Sequence, residues 1–187
     1  ILLHGATGSS ATTAVAAQDL RDLFSASADR AGVVLVAPPA SGSSGGWVPA
    51  VDFIFIQAIQ NDLAAAYVID RQRRSVWGFS AGGHVAHGLV LGNAGLYAAY
   101  AVKAGVLEAY AGINAPSAAT REVPLQSRIG SSDSLLAFAQ NDVLRFINAG
   151  WQIDDTLQYR EIGGGHSYSS ADAEAALPWL CRWAVLP

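Results

Sequence analysis

The chain alternates short apolar runs with longer segments whose apolar residues have helical spacing. The apolar runs are residues 1–3, 33–37, 75–77, 98–102, 125–129 and 157–161. Runs 1–3 and 33–37 are unbroken and bounded by Gly or Pro, which suits central strands buried on both faces of a parallel sheet. The alternation therefore predicts an α/β fold, with a mostly parallel central sheet of about six strands and helices on both faces.

Five segments are predicted to be helices: residues 10–29, 51–67, 81–91, 135–149 and 171–181. Ser9 or Ser10 is the expected cap of the first, and Pro178 predicts a kink or a new start in the last. The length of 187 residues suits one domain covering 1–187. Because the chain opens directly on an apolar run without a Met, we expect edge strands and any targeting signal to precede Ile1.

Composition excludes several classes of function. Hydrophobic residues make up 51% of the chain and charged residues 14%, which is enough apolar material for a sizeable core. A net charge of -4 and a single lysine, Lys103, argue against nucleic-acid binding, and no apolar stretch reaches the length of a membrane span. The lone Cys181 excludes an intrachain disulfide and a cysteine zinc cluster. Secreted, periplasmic and cytoplasmic locations all fit, and composition indicates no oligomeric state.

The pattern G-x-S-x-G occurs twice, around Ser44 and around Ser80. Its physical use is a sharp turn between a strand and a helix that exposes the serine, with small neighbours relieving the crowding. Ser80 follows a predicted strand and precedes a predicted helix. Ser44 lies several residues beyond its nearest strand and is soon followed by Pro49, so no helix begins directly behind it. Ser80 is therefore the candidate nucleophile, and a plain structural turn is the alternative.

A nucleophilic serine needs a histidine base and an acid that orients it, in the chain order serine, acid, histidine for this kind of turn. Only His166 comes late enough, in a Gly-rich loop after the last predicted strand. His4 precedes the serine. His84 lies four positions beyond Ser80, where it can line the pocket or pack on the sheet. For His87 the sequence indicates a position in the helix and no catalytic role.

Seven acidic residues lie between Ser80 and His166: Glu108, Glu122, Asp133, Asp142, Asp154, Asp155 and Glu161. Asp133 is the candidate acid because it stands between a predicted strand and a predicted helix, although a helix cap also suits that position. Asp142 falls inside the helix, on a face expected to be solvated. Asp154 and Asp155 are the reserve candidates.

The negative charge that develops on an attacked carbonyl needs backbone N–H donors. Ala81, directly after the nucleophile, should supply one at the positive end of its helix. The loop after the first strand contains Gly5 and Gly8 and should supply the other, from Ala6 in first place or Thr7 in second. This loop lacks the Gly-Lys-Ser/Thr ending of a phosphate-binding loop, so nucleotide binding is disfavoured.

Together these motifs resemble the α/β-hydrolase superfamily, within it the esterases similar to polyhydroxybutyrate depolymerases and feruloyl esterases. The resemblance covers nearly the whole chain and is carried by Leu3-His4-Gly5 with Gly8-Ser9, Ile69-Asp70 with Arg73 or Arg74, residues 76–83, Gly130 with Asp133, Ala149-Gly150-Trp151, Gly164-Gly165-His166-Ser167 and Trp179-Leu180. It implies that the chain opens at the family's third strand. The single cysteine departs from the disulfides of many secreted members.

These residues predict a serine hydrolase of carboxylic esters that needs no metal or organic cofactor. The 53 residues from Ser80 to Asp133 leave no room for a substantial lid, so we expect an open site suited to bulky, aromatic or polymeric esters. Trp47 and Trp151 are candidates for a substrate wall, with core packing as the alternative. A peptidase or thioesterase with the same triad, or a noncatalytic domain of the same fold, stays open as a rival interpretation.

Overall fold

In the part of the chain that the structure describes, five parallel strands form the sheet that carries the candidate site. The computed structural model describes residues 1–107 and 115–185. Its strands are β1 (Leu2–Leu3), β2 (Ser75–Phe79), β3 (Ala99–Lys103), β4 (Leu125–Gly130) and β5 (Leu157–Ile162). They pair in chain order, each parallel to the next. The carboxyl ends of all five therefore lie at one edge of the sheet, where ligands of α/β sheets bind.

The predicted strand at residues 33–37 is not a strand in the structure. It runs beside β1, where the Leu2 N–H donates to the Val36 carbonyl at 2.7 Å. Because β1 is only two residues long, this contact does not extend into a ladder, and Val34 stays 59% exposed. The expectation of about six strands is corrected to five, and β1 lies at the end of the ladder instead of at its centre.

Among the described residues, five α-helices flank the sheet: α1 (Thr13–Ala31), α2 (Pro49–Ala66), α3 (Ala81–Leu91), α4 (Leu136–Asn148) and α5 (Ser170–Cys181). The Ser9 hydroxyl accepts the Ala11 N–H and caps a short 3-10 turn ahead of α1. Helix α5 continues through Pro178 without a new start. Among the helices of the described ranges, none combines the length and apolar character needed to cross a bilayer.

Alternate residues of the strands face two different helical layers. Leu2, Trp77 and Ala101 pack in one cluster with residues of α1 and α5. Val76 and Tyr100 belong to the opposite cluster, together with residues of α2, α3 and α4. Helices thus cover both faces of the sheet, as the sequence predicts.

His87 of α3 is a buried polar group in the second layer. It is 2% exposed, its Nδ1 lies 3.1 Å from the Tyr100 hydroxyl, and its ring is 5.7 Å from that of Phe146. Burial lowers the pKa of His87 to about 3, and the nearby His84 acts in the same direction. In the unfolded chain this histidine binds a proton at a pH of about 6.5, whereas in the folded protein His87 is still neutral at that pH.

We expect the folded protein to lose stability in acid partly through His87. Its contribution is fully present above the unfolded pKa of about 6.5 and is lost as pH falls toward 3, because the unfolded chain takes up the proton first. The melting temperature of His87→Phe, measured by circular dichroism at pH 7 and pH 4.5, should fall less between the two than that of the wild type. Tyr100→Phe keeps the histidine and serves as control. Equal losses in wild type and His87→Phe would contradict the prediction.

Candidate active site

Ser80 occupies the turn between β2 and α3 with φ 50° and ψ -120°. A positive φ is rare for a residue with a side chain and costs about 1–3 kcal/mol, so the surrounding contacts must hold it. The Ser80 N–H donates to the Lys103 carbonyl at 3.0 Å, and the His84 N–H donates to the Ser80 carbonyl at 2.8 Å. The turn thereby holds the serine at the carboxyl edge of the sheet, as the pattern around Ser80 predicts.

Close backbone approaches explain the glycines around this turn. A Cβ at Gly82 would lie 2.1 Å from the Leu3 carbonyl oxygen, and one at Gly78 would lie 2.4 Å from the Gly82 oxygen. A Cβ at Gly5 would lie 3.3 Å from the Ser80 Cβ. The loop after β1 is therefore packed directly against the turn that carries Ser80.

The structure brings Ser80, His166 and Asp133 into one hydrogen-bonded chain. His166 Nε2 lies 2.8 Å from Ser80 Oγ, and His166 Nδ1 lies 2.9 Å and 3.1 Å from the two carboxylate oxygens of Asp133. The Asp133 side chain is fully buried, whereas that of His166 is 38% exposed. This order leaves Nε2 free to accept the serine proton when Nδ1 carries its hydrogen toward Asp133.

Asp133 is held by the turn after β4. Its Oδ1 accepts the Leu135 N–H at 2.9 Å, and the neighbouring Ser132 N–H donates to the Gly164 carbonyl at 2.9 Å. The carboxylate thus accepts a backbone N–H ahead of α4 and also faces His166. The N-cap of α4 is Leu135 and has no side-chain cap bond, so Asp133 holds the turn ahead of the helix and is not its cap.

The loop after β1 carries Ala6 directly after Gly5, the residue that packs against Ser80. The Thr7 N–H, our second choice of donor, already donates to the Gly45 carbonyl at 3.1 Å. Within the described part of the chain the Ala6 N–H has no hydrogen-bond acceptor. Ala81 is the first residue of α3, so its N–H has no carbonyl partner within that helix. Ala6 and Ala81 therefore stay the predicted donors to an oxyanion.

Two buried side chains, those of His4 and Trp47, hold this loop in place. His4 is 1% exposed, its Nδ1 contacts the Gly5 carbonyl at 2.7 Å, and its Nε2 accepts the Ala40 N–H at 3.1 Å. The Trp47 indole N–H donates to the His4 carbonyl at 2.8 Å. The sequence places His4 in this loop, directly after an apolar strand and within the segment Leu3-His4-Gly5, but it indicates no role for the imidazole.

The two tryptophans proposed as a substrate wall are buried. Trp47 is 5% exposed, and Trp151 is 3% exposed with its indole N–H on the Val123 carbonyl at 2.8 Å. Their flat apolar rings fill the core, and each polar nitrogen reaches a buried carbonyl. The expectation of a substrate wall from these two residues is corrected: Trp47 acts on the site through the backbone of His4.

His84 is half-buried on the first turns of α3, and its Nδ1 accepts the Val106 N–H at 2.8 Å. That bond places the ring hydrogen on Nε2. Burial lowers the pKa of His84 to about 4, and repulsion from His166 adds to the effect. His84 is thus a neutral imidazole near the base, and its role toward a substrate stays a prediction.

The other candidates from the sequence lie elsewhere. Ser44 is exposed in a turn closed by the Gly45 N–H on the Gly42 carbonyl at 2.8 Å. Asp142 is buried, which corrects the expectation of a solvated face, because its Oδ2 accepts the Leu107 N–H at 2.7 Å. The sequence signal that could have predicted its burial is the spacing of three residues from Ala139, which is buried on the same face of α4.

The two reserve acids are exposed, with Asp154 paired to Arg160 and Asp155 near Arg182. Glu108 lies outside the described residues, and so does part of the connection for which no lid is predicted. In the described ranges, no three His, Cys, Asp or Glu side chains are grouped so as to hold a metal ion.

Comparison with known proteins shows the fold. No family model and no curated protein matches the chain. A solved ferulic acid esterase matches with a TM-score of 0.72 at 20% identity, covering 97% of this chain and 83% of that one. An S-formylglutathione hydrolase from Agrobacterium tumefaciens matches at 0.70 and 18%, covering 97% and 82%. SOBER1 from Arabidopsis thaliana matches at 0.66 and 17%, covering 97% and 96%. The chain has the α/β-hydrolase fold, which confirms the predicted fold class.

The tight contact at Gly82 predicts a matched pair of variants. Gly82→Ala must displace the β1 backbone from α3, so we expect a clear loss of melting temperature together with a loss of esterase activity. Gly95→Ala adds a methyl group where no atom lies within 4 Å, so both quantities should stay near wild type. Thermal melts and p-nitrophenyl acetate hydrolysis measure the two effects. A Gly82→Ala variant with the melting temperature and activity of the wild type would contradict the packing described above.

Proposed function

We propose that the chain is a serine hydrolase that cleaves carboxylic esters through an acyl-enzyme intermediate. The observation that carries the proposal is the continuous chain of hydrogen bonds from Ser80 Oγ through His166 to the buried Asp133 carboxylate. It stands at a strained turn that exposes the serine at the carboxyl edge of the sheet. Neighbours of the same fold, named as esterases, support the choice of reaction.

In the first half-reaction, Ser80 Oγ attacks the acyl carbon while His166 Nε2 takes the hydroxyl proton. The resulting oxyanion accepts hydrogen bonds from the N–H groups of Ala6 and Ala81, each worth a few kcal/mol in the transition state. Collapse breaks the bond to the alkoxide, which leaves with the proton from Nε2. Asp133 remains a carboxylate throughout and stabilises the imidazolium through Nδ1.

In the second half-reaction, water attacks the acyl-enzyme and gives a proton to His166 Nε2. The second oxyanion collapses, the acid product leaves, and the proton returns to Ser80 Oγ. No metal or organic cofactor takes part in these steps, because the nucleophile, base and oxyanion donors all belong to the chain.

For the substrate, we infer bulky, aromatic or polymeric esters of the kind that feruloyl esterases or polyhydroxybutyrate depolymerases cleave. The sequence segments that resemble this branch support the inference, and a ferulic acid esterase is among the proteins of similar fold. The partial exposure of His166 is consistent with a site that large substrates reach from solvent.

A serine-directed fluorophosphonate should give one adduct, located on the peptide that contains Ser80 and absent from Ser80→Ala. Ser44→Ala should be labelled like the wild type, because Ser44 has no base beside it. Intact mass followed by peptide mapping measures both results. A wild type without an adduct, or an adduct that persists in Ser80→Ala, would contradict the assignment and favour a noncatalytic domain.

The same preparations test the leaving group on p-nitrophenyl esters, feruloyl esters, thioesters and short peptides. We expect hydrolysis of the esters, reduced by roughly 10⁴-fold or more in Ser80→Ala. Hydrolysis of the peptides without hydrolysis of the esters would identify a peptidase instead.

On the acid side of the pH profile, the rate should depend on the protonation of a single group. The rate should fall as pH drops because protonated His166 cannot accept the serine proton. His84 and His87, with pKa values of about 4 and 3, stay neutral above pH 5 and add no second step. In His84→Gln the midpoint of kcat/KM against pH should therefore stay in place, whatever the change in rate. A displaced midpoint in His84→Gln would contradict the prediction that His166 alone controls the acid limb. So would a wild-type rate that falls in acid with the uptake of two protons.

A further inference from the structure

Three side chains form a row across the sheet at its carboxyl edge. Phe79 of β2 is in register with Lys103 of β3, which is in register with Arg128 of β4. Register neighbours on parallel strands point to the same face of the sheet. Arg128 Nε lies 3.3 Å from Asp172 Oδ1 on α5, so this row faces α5 and places Lys103 between Phe79 and Arg128.

Lys103 is the only lysine of the chain and is only 2% exposed. Burying an ammonium group is costly unless carboxylates compensate its charge. Asp172 and Asp133 attract it, and Arg128 repels it. Burial lowers the pKa of Lys103, and the two carboxylates oppose that shift. Beside the Arg128–Asp172 ion pair, the attraction of two carboxylates thus compensates the charge of Lys103, and one of them, Asp133, belongs to the candidate triad.

Asp172 connects this cluster to the loop that carries His166. Its Oδ2 accepts the Ser169 N–H at 3.0 Å, and its own N–H donates to the Ser169 carbonyl at 3.0 Å. The Asp172 side chain is 4% exposed. The residue before Ser169, Tyr168, has its ring 4.7 Å from that of Phe79, and the His166 ring is 5.1 Å from the same Phe79. The end of the loop is therefore held on the row described above.

The backbone of Lys103 also contacts the nucleophile turn. Its carbonyl accepts the Ser80 N–H at 3.0 Å, the hydrogen bond that helps to hold the positive φ of Ser80. Lys103 therefore contacts the nucleophile turn through its backbone carbonyl. Through its charge it attracts Asp133, the acid, and Asp172, which holds the loop with His166.

We propose that Lys103 is a positioning residue of the active site: its buried ammonium group balances Asp172 and Asp133 and so fixes His166 between the nucleophile and the acid. This inference rests on the proposed serine hydrolase function. It assigns Lys103 no contact with substrate and no proton transfer.

Lys103→Met tests the proposal because methionine keeps the unbranched apolar chain and removes the charge. We expect kcat on p-nitrophenyl acetate to fall by roughly tenfold or more while KM changes by less than about twofold, since misplaced catalytic groups slow the chemical step. The acid limb of the rate should also move to higher pH, on the order of half a unit, because loss of a cation near Asp133 favours the proton on His166. Lower stability alone would move neither quantity in this way.

Arg30→Met is the matched control. Arg30 is an exposed cation on α1 whose side chain donates to the Ser27 hydroxyl at 3.0 Å. Its kcat, KM and acid limb should equal those of the wild type. A folded Lys103→Met with wild-type kcat and an unmoved acid limb would overturn the proposal.

If Lys103→Met does not fold, as judged by circular dichroism, Lys103→Gln takes its place. Glutamine removes the charge, keeps a polar end on an unbranched stem and leaves the Arg128–Asp172 ion pair intact. This variant should fold and show the same reduced kcat and displaced limb. Wild-type values in Lys103→Gln overturn the proposal, and so does its failure to fold, because Lys103 would then serve folding and not the position of His166.

The wild-type protein separates this proposal from the one on which it rests. A wild type without ester hydrolysis and without a Ser80 adduct would refute the hydrolase function itself. A wild type that hydrolyses esters, beside a Lys103→Met with unchanged kcat and pH profile, would refute only the role of Lys103.

Discussion

The strained backbone at Ser80 is the constraint on which the rest of the site depends. Its positive φ is held by the Lys103 carbonyl on one side and by the first turn of α3 on the other. Because Gly82 has no Cβ, the β1 backbone can lie against α3, and the loop that follows β1 brings Gly5, the residue before Ala6, against Ser80. The contact between Gly82 and the β1 backbone therefore positions both the serine turn and the loop with the proposed oxyanion donor Ala6.

Buried polar groups supply the second layer of organisation, since each must be satisfied within the protein. The fully buried Asp133 carboxylate meets His166 and the Leu135 N–H, His4 links the loop after β1 to Ala40, and Trp47 closes on the His4 carbonyl. These partners leave little freedom at the places where a catalytic hydrogen bond has to be short. In the proposed mechanism, such preorganisation is what makes the donors effective in the transition state.

Much of this arrangement was predictable from local patterns. The strand–turn–helix around Ser80 follows from G-x-S-x-G between an apolar run and a helical segment, and α3 has the predicted bounds. The order of serine, acid and histidine selected His166, and the position between a predicted strand and a predicted helix selected Asp133. The interpretations of 33–37, Trp47 and Asp142 failed because each depends on partners distant in sequence: a two-residue β1, the His4 carbonyl and the Leu107 N–H.

The sequence alone determined the alternation of strands and helices, the turn at Ser80 and the identity of the three residues proposed as a triad, because these depend on composition and short-range spacing. Only the tertiary structure decided that Thr7 is already engaged by Gly45, that the tryptophans are buried, and that Lys103 lies in a row between Phe79 and Arg128. Register across parallel strands and the burial of charge are set by residues far apart in the chain, so local pattern carries no information about them.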